Sequence, residues 1–385
     1  MKKLGLCVRY DCYNFGSMLQ ILATQKAILS CGWEYEIIRY DKRSFIFFLK
    51  SMDRVLNPYF MKGKIKAAIR DLKFKKYPKI GNGDKKRRNR FKIYRNKYIG
   101  PFSPIFHGYN NLTESARRYD AIMVGSDQLW TPAGIKSRFY NLLFVPEEMK
   151  KISFATSFGV SSIPESQKKM TADYLRRIDA ISVREIKGKE IVYELTGRKA
   201  FLALDPTLLY SGKEWIDMFP NIKKYKEPYI LAYFLGNNPN HRIVVNRISK
   251  KTGLRILTIP FMDLFADCDL SFGDEQLYDV DPIDFLNLIR NADYICTDSF
   301  HGTVFSILNH KKFLTFERTN SDDKLSRNSR IDSLFSLLDL EERRYKSGII
   351  PEERIDMFID YTKVDQRLSS LRKETFKFLN DALNS

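Results

Sequence analysis

Short apolar strands alternate with amphipathic helices along most of this chain, and this alternation constrains the fold more than any other feature. Apolar runs at Leu4–Val8, Ala121–Val124 and Ala180–Val183 predict buried strands, with helical patterns between them. A second series of the same kind begins at Tyr229–Phe234 and continues through Tyr294–Thr297. Strands that alternate with helices form mostly parallel sheets covered by helices. The two series therefore predict an α/β protein with two Rossmann-like domains and a cleft between them.

The length of 385 residues is also too great for one ordinary core. A polar stretch punctuated by Gly212, Pro220 and Pro228 separates the two series. We place the boundary there, with an N-terminal domain at 1–212 and a C-terminal domain at 213–385. The end of the chain predicts one amphipathic helix, which we assign to the C-terminal domain although it could pack on either.

The charge of the chain predicts an anionic partner. Lys and Arg number 65 against 46 Asp and Glu, for a net charge of +19. A nucleic acid, an acidic membrane surface and a phosphorylated substrate all fit this charge. Much of it lies in a basic insert at 41–98, where residues 60–98 hold sixteen Lys or Arg. We expect the insert, which includes the apolar run 45–49, to serve an acceptor or an anionic membrane. A helical lid on the N-terminal domain is the alternative.

Several common features are missing from the sequence. The apolar run after Lys3 is too short for a signal peptide, and no stretch approaches the roughly 20 apolar residues of a membrane span. Five scattered cysteines form no CxxC pair. These absences predict a cytoplasmic protein, with the inner face of the membrane as an alternative site of action. Since dinucleotide and Walker-type phosphate loops and metal-binding motifs are also lacking, we expect no metal and no cofactor.

Four polar segments directly follow predicted strands, and in parallel sheets ligands bind beyond the carboxyl ends of the strands. They are Asn14–Ser17, Gly125–Trp130, Ser182–Glu185 and Thr297–Thr303. Each alone has the composition of an ordinary turn. Four of them at comparable positions favour a shared site.

The segment Thr297–Thr303 is the most informative of the four. We expect a helix to begin near His301, with the backbone amides of Gly302 and Thr303 free to bind an anion at its positive end. The imidazole of His301 would lie beside that anion and could transfer protons.

Arginines supply further candidate anion ligands. Arg184 follows a predicted strand and could clamp a carboxylate or phosphate, or it could pair with Glu185 instead. A basic segment from Arg318 to Arg330 follows a later strand, and it is either a loop that covers the substrate or a solvated turn.

The ordered series of motifs resembles the polysaccharide pyruvyl transferase family over about residues 4–40 and 110–340. The shared elements are Asn14-Phe15-Gly16 with Leu19-Gln20, Gly125 to Trp130, SFATSFG at 153–159, ISVRE at 181–185, Asp205 to Leu208, and TDSFHG at 297–302. The resemblance implies a GT-B-like fold with phosphoenolpyruvate in the cleft, and transfer of its pyruvate unit to a sugar as a ketal. It also implies that His301 is catalytic and that Arg184 binds phosphoenolpyruvate. Better-studied members have Arg where this chain has Ser299, which leaves one anion contact unfilled.

From the residues and the resemblance together we expect the following site. His301 and Asp127 are the catalytic candidates. The phosphoenolpyruvate ligands are Arg184, Ser299, Gly302, Thr303, Arg330 and Arg318, with Arg330 replacing the missing arginine. The acceptor ligands are Asn14, Gly16, Gln20 and Ser126. The acceptor itself would be a sugar of a capsule or exopolysaccharide, or of its lipid-linked precursor.

Two other functions share some of these features. A glycosyltransferase of the same fold would use a nucleotide sugar, and fold alone does not distinguish it. A nucleic-acid binder would fit the charge, but it does not require anion ligands at strand ends, so we expect no nucleic-acid partner.

Overall fold

The computed structural model describes residues 2–41, 58–263, 265–318, 329–346 and 348–385. Its strands form two separate, wholly parallel sheets. The first contains β1 (Lys3–Cys7), β2 (Glu34–Asp41), β3 (Phe102–His107), β4 (Ala121–Val124), β5 (Lys150–Thr156), β6 (Ala180–Val183) and β7 (Phe201–Leu202). The second contains β8 (Tyr229–Tyr233), β9 (Arg255–Thr258), β10 (Glu275–Gln276), β11 (Tyr294–Thr297) and β12 (Lys312–Thr315).

Helices connect most of the strands, as is usual for parallel neighbours. We call the part of the chain before β8 the first half and the part from β8 onward the second half. The helices of the first half are α1 (Phe15–Ser30), α2 (Pro58–Lys76), α3 (Pro78–Tyr98), α4 (Tyr109–Ala116), α5 (Glu165–Arg176), α6 (Ile186–Thr196) and α7 (Gly212–Met218). Those of the second half are α8 (Pro239–Thr252), α9 (Pro282–Asn291), α10 (Phe300–Leu308), α11 (Ser329–Leu338), α12 (Pro351–Arg354) and α13 (Tyr361–Asn384). The predicted α/β class is confirmed. Among the described residues, no helix combines the length and apolarity needed to cross a membrane.

Strand order places one switch point in each sheet. The first sheet runs β3-β2-β1-β4-β5-β6-β7, and the second runs β10-β9-β8-β11-β12. The chain reverses its direction of winding between β1 and β4 and again between β8 and β11. Ligands of open parallel sheets bind at such points, beyond the carboxyl ends of the strands. Three of the four polar segments predicted to form a site follow β1, β4 and β11.

The two halves of the molecule share one hydrophobic core. Phe15, at the start of α1, stacks on Phe285 of α9 with ring centroids 4.9 Å apart. Phe15 also packs against Tyr233 at the end of β8 and against Phe91 of α3. The carboxyl ends of the two sheets are therefore held together by buried aromatic rings.

The last helix, α13, contacts both halves of the molecule: Tyr361 at its start stacks on His310, whereas its later part packs on the first sheet. Phe378 stacks on Phe201 of β7 with centroids 4.8 Å apart. The hydroxyl of Thr375 accepts a hydrogen bond from the backbone of Leu204. The chain thus crosses back to the N-terminal half after the second sheet is complete. The boundary at residue 212 stays a prediction.

Part of the basic insert lies outside the described residues, including the apolar run 45–49. The remainder forms α2 and α3, and α3 docks largely on the second half of the molecule. Arg87 is buried and donates hydrogen bonds to the carbonyls of Tyr278 (2.7 Å), Leu277 (2.8 Å) and Pro260 (2.8 Å). Burial lowers the pKa of Arg87 to about 10. The described part of the insert is therefore helical, and it bridges both halves instead of covering the N-terminal one alone.

We expect Arg87→Ala to lower the free energy of unfolding by about 2–4 kcal/mol, because three buried carbonyl oxygens would lose their donor. Urea denaturation followed by circular dichroism measures this change. Lys85→Ala, at an exposed position on the same helix, is the matched control and should stay within about 0.5 kcal/mol of the wild type. Equal midpoints for the two variants would contradict the docking role of Arg87.

Candidate active site

A buried ion pair lies at the centre of the cleft. The Arg184 side chain, directly after β6, is fully buried, and its Nη1 lies 2.5 Å from Oδ2 of Asp205. Its Nη2 lies 3.4 Å from Oδ1 of Asp127, which follows β4. The sequence left open a pairing of Arg184 with Glu185, but the carboxylates it contacts come from two other strand ends. Its Nε has no hydrogen-bond partner in the described structure.

Asp127 is held in an unusual backbone conformation. Its φ of 87° lies in the left-handed region, which costs free energy for a residue other than glycine. Its carboxylate accepts hydrogen bonds from the Ser17 hydroxyl (2.6 Å) and the Gln128 amide (2.8 Å). Burial acts to raise the pKa of Asp127, but Arg184 and Ser17 outweigh it and lower the pKa to about 2. Asp127 is therefore ionised at neutral pH, which makes it a better charge partner than proton acceptor.

His301 reaches this cluster from the opposite half of the molecule. Its Nε2 lies 3.7 Å from Oδ2 of Asp205 and has no hydrogen-bond partner among the described residues. The imidazole also packs against Gly16 of α1. A Cβ on Gly16 would lie 2.0 Å from Cγ and Nδ1 of the ring. Although burial acts to raise it, the pKa of Asp205 is held well below its usual range by His301 and Arg184. The imidazole thus lies between a glycine and an ionised carboxylate.

The start of α10 differs from the sequence expectation. Ser299 is the N-cap, and its hydroxyl accepts a hydrogen bond from the Gly302 amide at 3.2 Å. The Thr303 amide donates to the Ser299 carbonyl at 2.9 Å. A Cβ on Gly302 would lie 2.6 Å from Oγ1 of Thr297, so close packing explains this glycine. These amides are therefore used within the helix start, and the free anion-binding amides predicted at Gly302 and Thr303 are not present.

Arg330 supplies a second buried guanidinium. It is 6% exposed, and its Nε has no hydrogen-bond partner in the described structure. The guanidinium carbons of Arg330 and Arg184 lie 5.5 Å and 5.1 Å from the centroid of the Phe300 ring. Burial, together with the charges of Arg184 and Arg318, lowers the pKa of Arg330 to about 9. Arg318 is instead tied to the Asp298 carbonyl at 3.0 Å.

The four candidate acceptor ligands have structural partners. Asn14 caps α1 by accepting a hydrogen bond from the Ser17 amide. Gln20 is 1% exposed and donates to Thr24 on the same helix. Ser126 is fully buried beside Asp205, and Gly16 accommodates His301. Gln20 and Ser126 are buried and hydrogen-bonded within the protein. The acceptor-binding roles of the four residues stay predictions.

Sequence reasoning assigned no site role to Asp205 or Ser17, and it considered Glu185 only as an alternative ion-pair partner of Arg184. Asp205 comes three residues after β7, so the rule that singled out Arg184 could also have found it. Glu185 is fully buried, and burial raises its pKa. Its Oε1 accepts a hydrogen bond from the Phe158 amide, while Oε2 has no partner in the described structure. Ser17 and Asp127 are 110 residues apart in the chain, so no local sequence pattern predicts their contact.

Two wholly parallel sheets with their carboxyl ends on one shared site define the GT-B fold class. S. aureus MnaA, in a co-structure with UDP, is similar at a TM-score of 0.51 and 12% identity, with 97% of this chain and 91% of that chain covered. UDP-GlcNAc 2-epimerase from Neisseria meningitidis bound to UDP-GlcNAc gives a TM-score of 0.48 and 12% identity, with 98% and 99% covered. MurG from Acinetobacter baumannii gives 0.44 and 9%, with 99% of each chain covered. At such identities the likeness concerns the fold alone.

The family model for polysaccharide pyruvyl transferase matches residues 14–320. The chain therefore belongs to the polysaccharide pyruvyl transferase family, and it is a transferase that acts on polysaccharide. A comparison with curated proteins gives no significant match. The matched range contains His301, Arg184, Asp127 and Asp205, whereas Arg330 lies beyond it.

We expect Gly16→Ala to expel the His301 ring from its place, because the added methyl would lie 2.0 Å from the imidazole. Reaction of His301 with diethylpyrocarbonate, quantified by mass spectrometry, should rise several-fold. Gly134→Ala is the control, since its Cβ would meet only ordinary contacts at 3.6 Å and beyond. If His301 is modified equally in the two variants, it does not depend on Gly16 for its position.

Proposed function

We propose that this transferase uses phosphoenolpyruvate as its donor and forms a pyruvate ketal on a sugar, releasing phosphate. The acceptor would be a cell-surface polysaccharide, such as a capsule or exopolysaccharide, or its lipid-linked precursor. Family membership supports the pyruvyl transfer. Phosphoenolpyruvate is consumed as a co-substrate, and the proposed reaction uses no metal or other cofactor.

One observation carries the choice of donor. Arg184 and Arg330 are both buried beside Phe300, and each keeps an Nε–H group without a hydrogen-bond partner in the described structure. A buried cationic donor without a partner is costly unless a ligand satisfies it. Phosphoenolpyruvate carries a carboxylate and a phosphate, and guanidinium groups bind both strongly. Two adjacent arginines with free donors suit such a ligand.

The proposed reaction moves two protons. One acceptor hydroxyl oxygen bonds to C2 of phosphoenolpyruvate and loses its proton. The methylene carbon of phosphoenolpyruvate takes up one proton in return and becomes a methyl group. The second hydroxyl oxygen then bonds to C2 as the bond from C2 to the phosphate oxygen breaks. The second hydroxyl proton leaves with the phosphate, so atoms and charge balance.

His301 is the best-placed group to transfer these protons. Its Nε2 has no hydrogen-bond partner among the described residues and lies beside the ionised Asp205, which would stabilise an imidazolium after proton uptake. Asp127, with a pKa of about 2, would serve mainly to hold Arg184. We therefore assign the acid–base role to His301 and a charge-pairing role to Asp127.

The function is tested by phosphate release from phosphoenolpyruvate with galactosyl, mannosyl and glucosyl acceptors. We expect release that depends on the acceptor, and a product heavier by one pyruvate ketal. Release of a nucleoside diphosphate from a nucleotide sugar, without consumption of phosphoenolpyruvate, would indicate a glycosyltransferase instead.

We expect Arg330→Ala to raise KM for phosphoenolpyruvate roughly tenfold or more, because loss of a charge-assisted contact costs about 1.5–3 kcal/mol. Steady-state kinetics with varied donor measures this effect. Arg367→Ala, which removes a surface ion pair with Asp339, should leave KM unchanged. An unchanged donor KM in Arg330→Ala, with an altered acceptor KM, would place Arg330 on the acceptor side.

We also propose that α2 brings the enzyme to an anionic membrane surface on the cytoplasmic side. Ile65, Ile69 and Leu72 are 53%, 50% and 65% exposed, and their spacing puts them on one face of the helix. Lys75 and Lys76 follow and are also exposed. An apolar stripe with neighbouring cations suits the interface of an anionic leaflet, where each cation contributes about 1 kcal/mol.

Flotation with neutral and anionic vesicles tests this contact. We expect higher recovery of the protein with anionic vesicles, and loss of that excess when Ile65, Ile69 and Leu72 are all replaced by Asn. The control replaces three isoleucines of similar exposure elsewhere, Ile222, Ile243 and Ile350. Equal recovery with both vesicle types would contradict the electrostatic part of the proposal.

A further inference from the structure

A cavity of about 540 Å³ lies between the two halves of the molecule. Ser161, Ile186 and Lys187 of the first half form one wall, while the opposite wall comes from Glu317 and from α11 and the segment after it. The two walls are joined by a hydrogen bond from the Ile186 amide to the Ser333 hydroxyl at 2.9 Å. Its volume falls within the roughly 300–1,000 Å³ typical of small-molecule sites.

Two buried polar groups that line the cavity have no hydrogen-bond partner among the described residues. Ser329 is 7% exposed, and its hydroxyl has no hydrogen-bond partner in the described part of the chain. Arg344 is equally buried, and its Nη1 pairs with Glu317 at 3.6 Å but makes no hydrogen bond to any residue that the structure describes. The other terminal nitrogen of Arg344 donates to Asp332. Buried polar groups are normally satisfied, so these two indicate a ligand with its own donors and acceptors.

The charges that line the cavity balance each other. Three carboxylates, Glu317, Asp332 and Glu341, face three cations, Lys187, Arg344 and Lys346. Four serine hydroxyls complete the polar lining, at positions 161, 329, 333 and 336. A net cationic lining would suit an anion, whereas a balanced lining of donors and acceptors suits a neutral ligand with many hydroxyl groups.

The cavity walls are close in sequence to Arg184 and Arg330. Ile186 follows Arg184 and Glu185, and Ser329 precedes Arg330 directly. Both walls therefore continue within one or two residues into the groups assigned to the donor.

From this placement we propose that the cavity binds a neutral sugar unit of the acceptor, with Glu317, Ser329 and Arg344 bonding its hydroxyls. The site is an alternative to the acceptor ligands expected from the sequence, of which Gln20 and Ser126 are buried. The inference rests on the proposed function for its place in the reaction, but the binding of a sugar can be measured without turnover.

Saturation-transfer NMR on the full chain tests the site with methyl galactoside, methyl mannoside and methyl glucoside as probes. We expect saturation transfer to at least one of them in the wild type. Ser336→Trp, an exposed position on the cavity wall, should abolish the signal by filling the cavity. Ser369→Trp, equally exposed in a separate surface hollow on α13, is the matched control and should retain it.

A second variant tests the site independently in case Ser336→Trp does not fold. Glu317→Gln changes no volume and should weaken the signal at least several-fold, with circular dichroism unchanged. A signal that survives both variants, or no signal from any of the three glycosides, overturns the proposed site.

The two proposals fail in different ways. If the glycosides bind in the cavity but phosphoenolpyruvate is never consumed, the sugar site stands and the donor assignment is wrong. If phosphoenolpyruvate is consumed and Ser336→Trp leaves the acceptor KM unchanged, the acceptor binds elsewhere and the sugar site is wrong.

Discussion

The buried ion pair between Arg184 and Asp205 is the interaction on which the rest of the site depends. Desolvation of two such charges is offset only when the geometry is good and further hydrogen bonds satisfy them. Here Asp127 and the Ser126 hydroxyl lie against the same guanidinium, and the Thr207 hydroxyl donates to Asp205. Removal of one partner would leave a buried charge without compensation, which typically costs about 3–5 kcal/mol. The pair therefore fixes three strand ends of the first sheet relative to one another.

Asp205 of this pair also contacts the second half of the molecule, through His301. His301 follows a strand of the second sheet, yet its imidazole lies 3.7 Å from the Asp205 carboxylate and packs against Gly16, both in the first half. Phe15, next to Gly16, stacks on Phe285 across the cleft. A change that separated the halves would move the imidazole away from Asp205 and from Arg184 together. The candidate site thus depends on this arrangement of the two halves.

The sequence predicted what local rules determine. Period and length identify β1, β4, β6 and β11, and the fold class follows from their alternation with helices. Because ligands gather beyond strand ends, the same reasoning found Arg184 and His301, and the structure brings both to one cleft. Their catalytic and donor-binding roles stay predictions.

What the sequence could not predict depends on contacts distant along the chain or on choices between local partners. The sequence is compatible with free amides at the start of α10, but the hydroxyl and carbonyl of Ser299 accept hydrogen bonds from the Gly302 and Thr303 amides. Nothing local shows that Arg87 reaches carbonyls about 190 residues away. The burial of Gln20 likewise depends on which face of α1 the second half covers.

The central claim is that His301, held across the cleft against Asp205, transfers protons during formation of the ketal. The most direct test is the steady-state rate of phosphate release by His301→Gln, with the fold verified by circular dichroism. Glutamine keeps a hydrogen-bonding group but cannot shuttle protons, so kcat should fall by about 10²–10⁴ while KM for phosphoenolpyruvate changes little. A variant that turns over at close to the wild-type rate would contradict this account and would make His301 a positioning ligand.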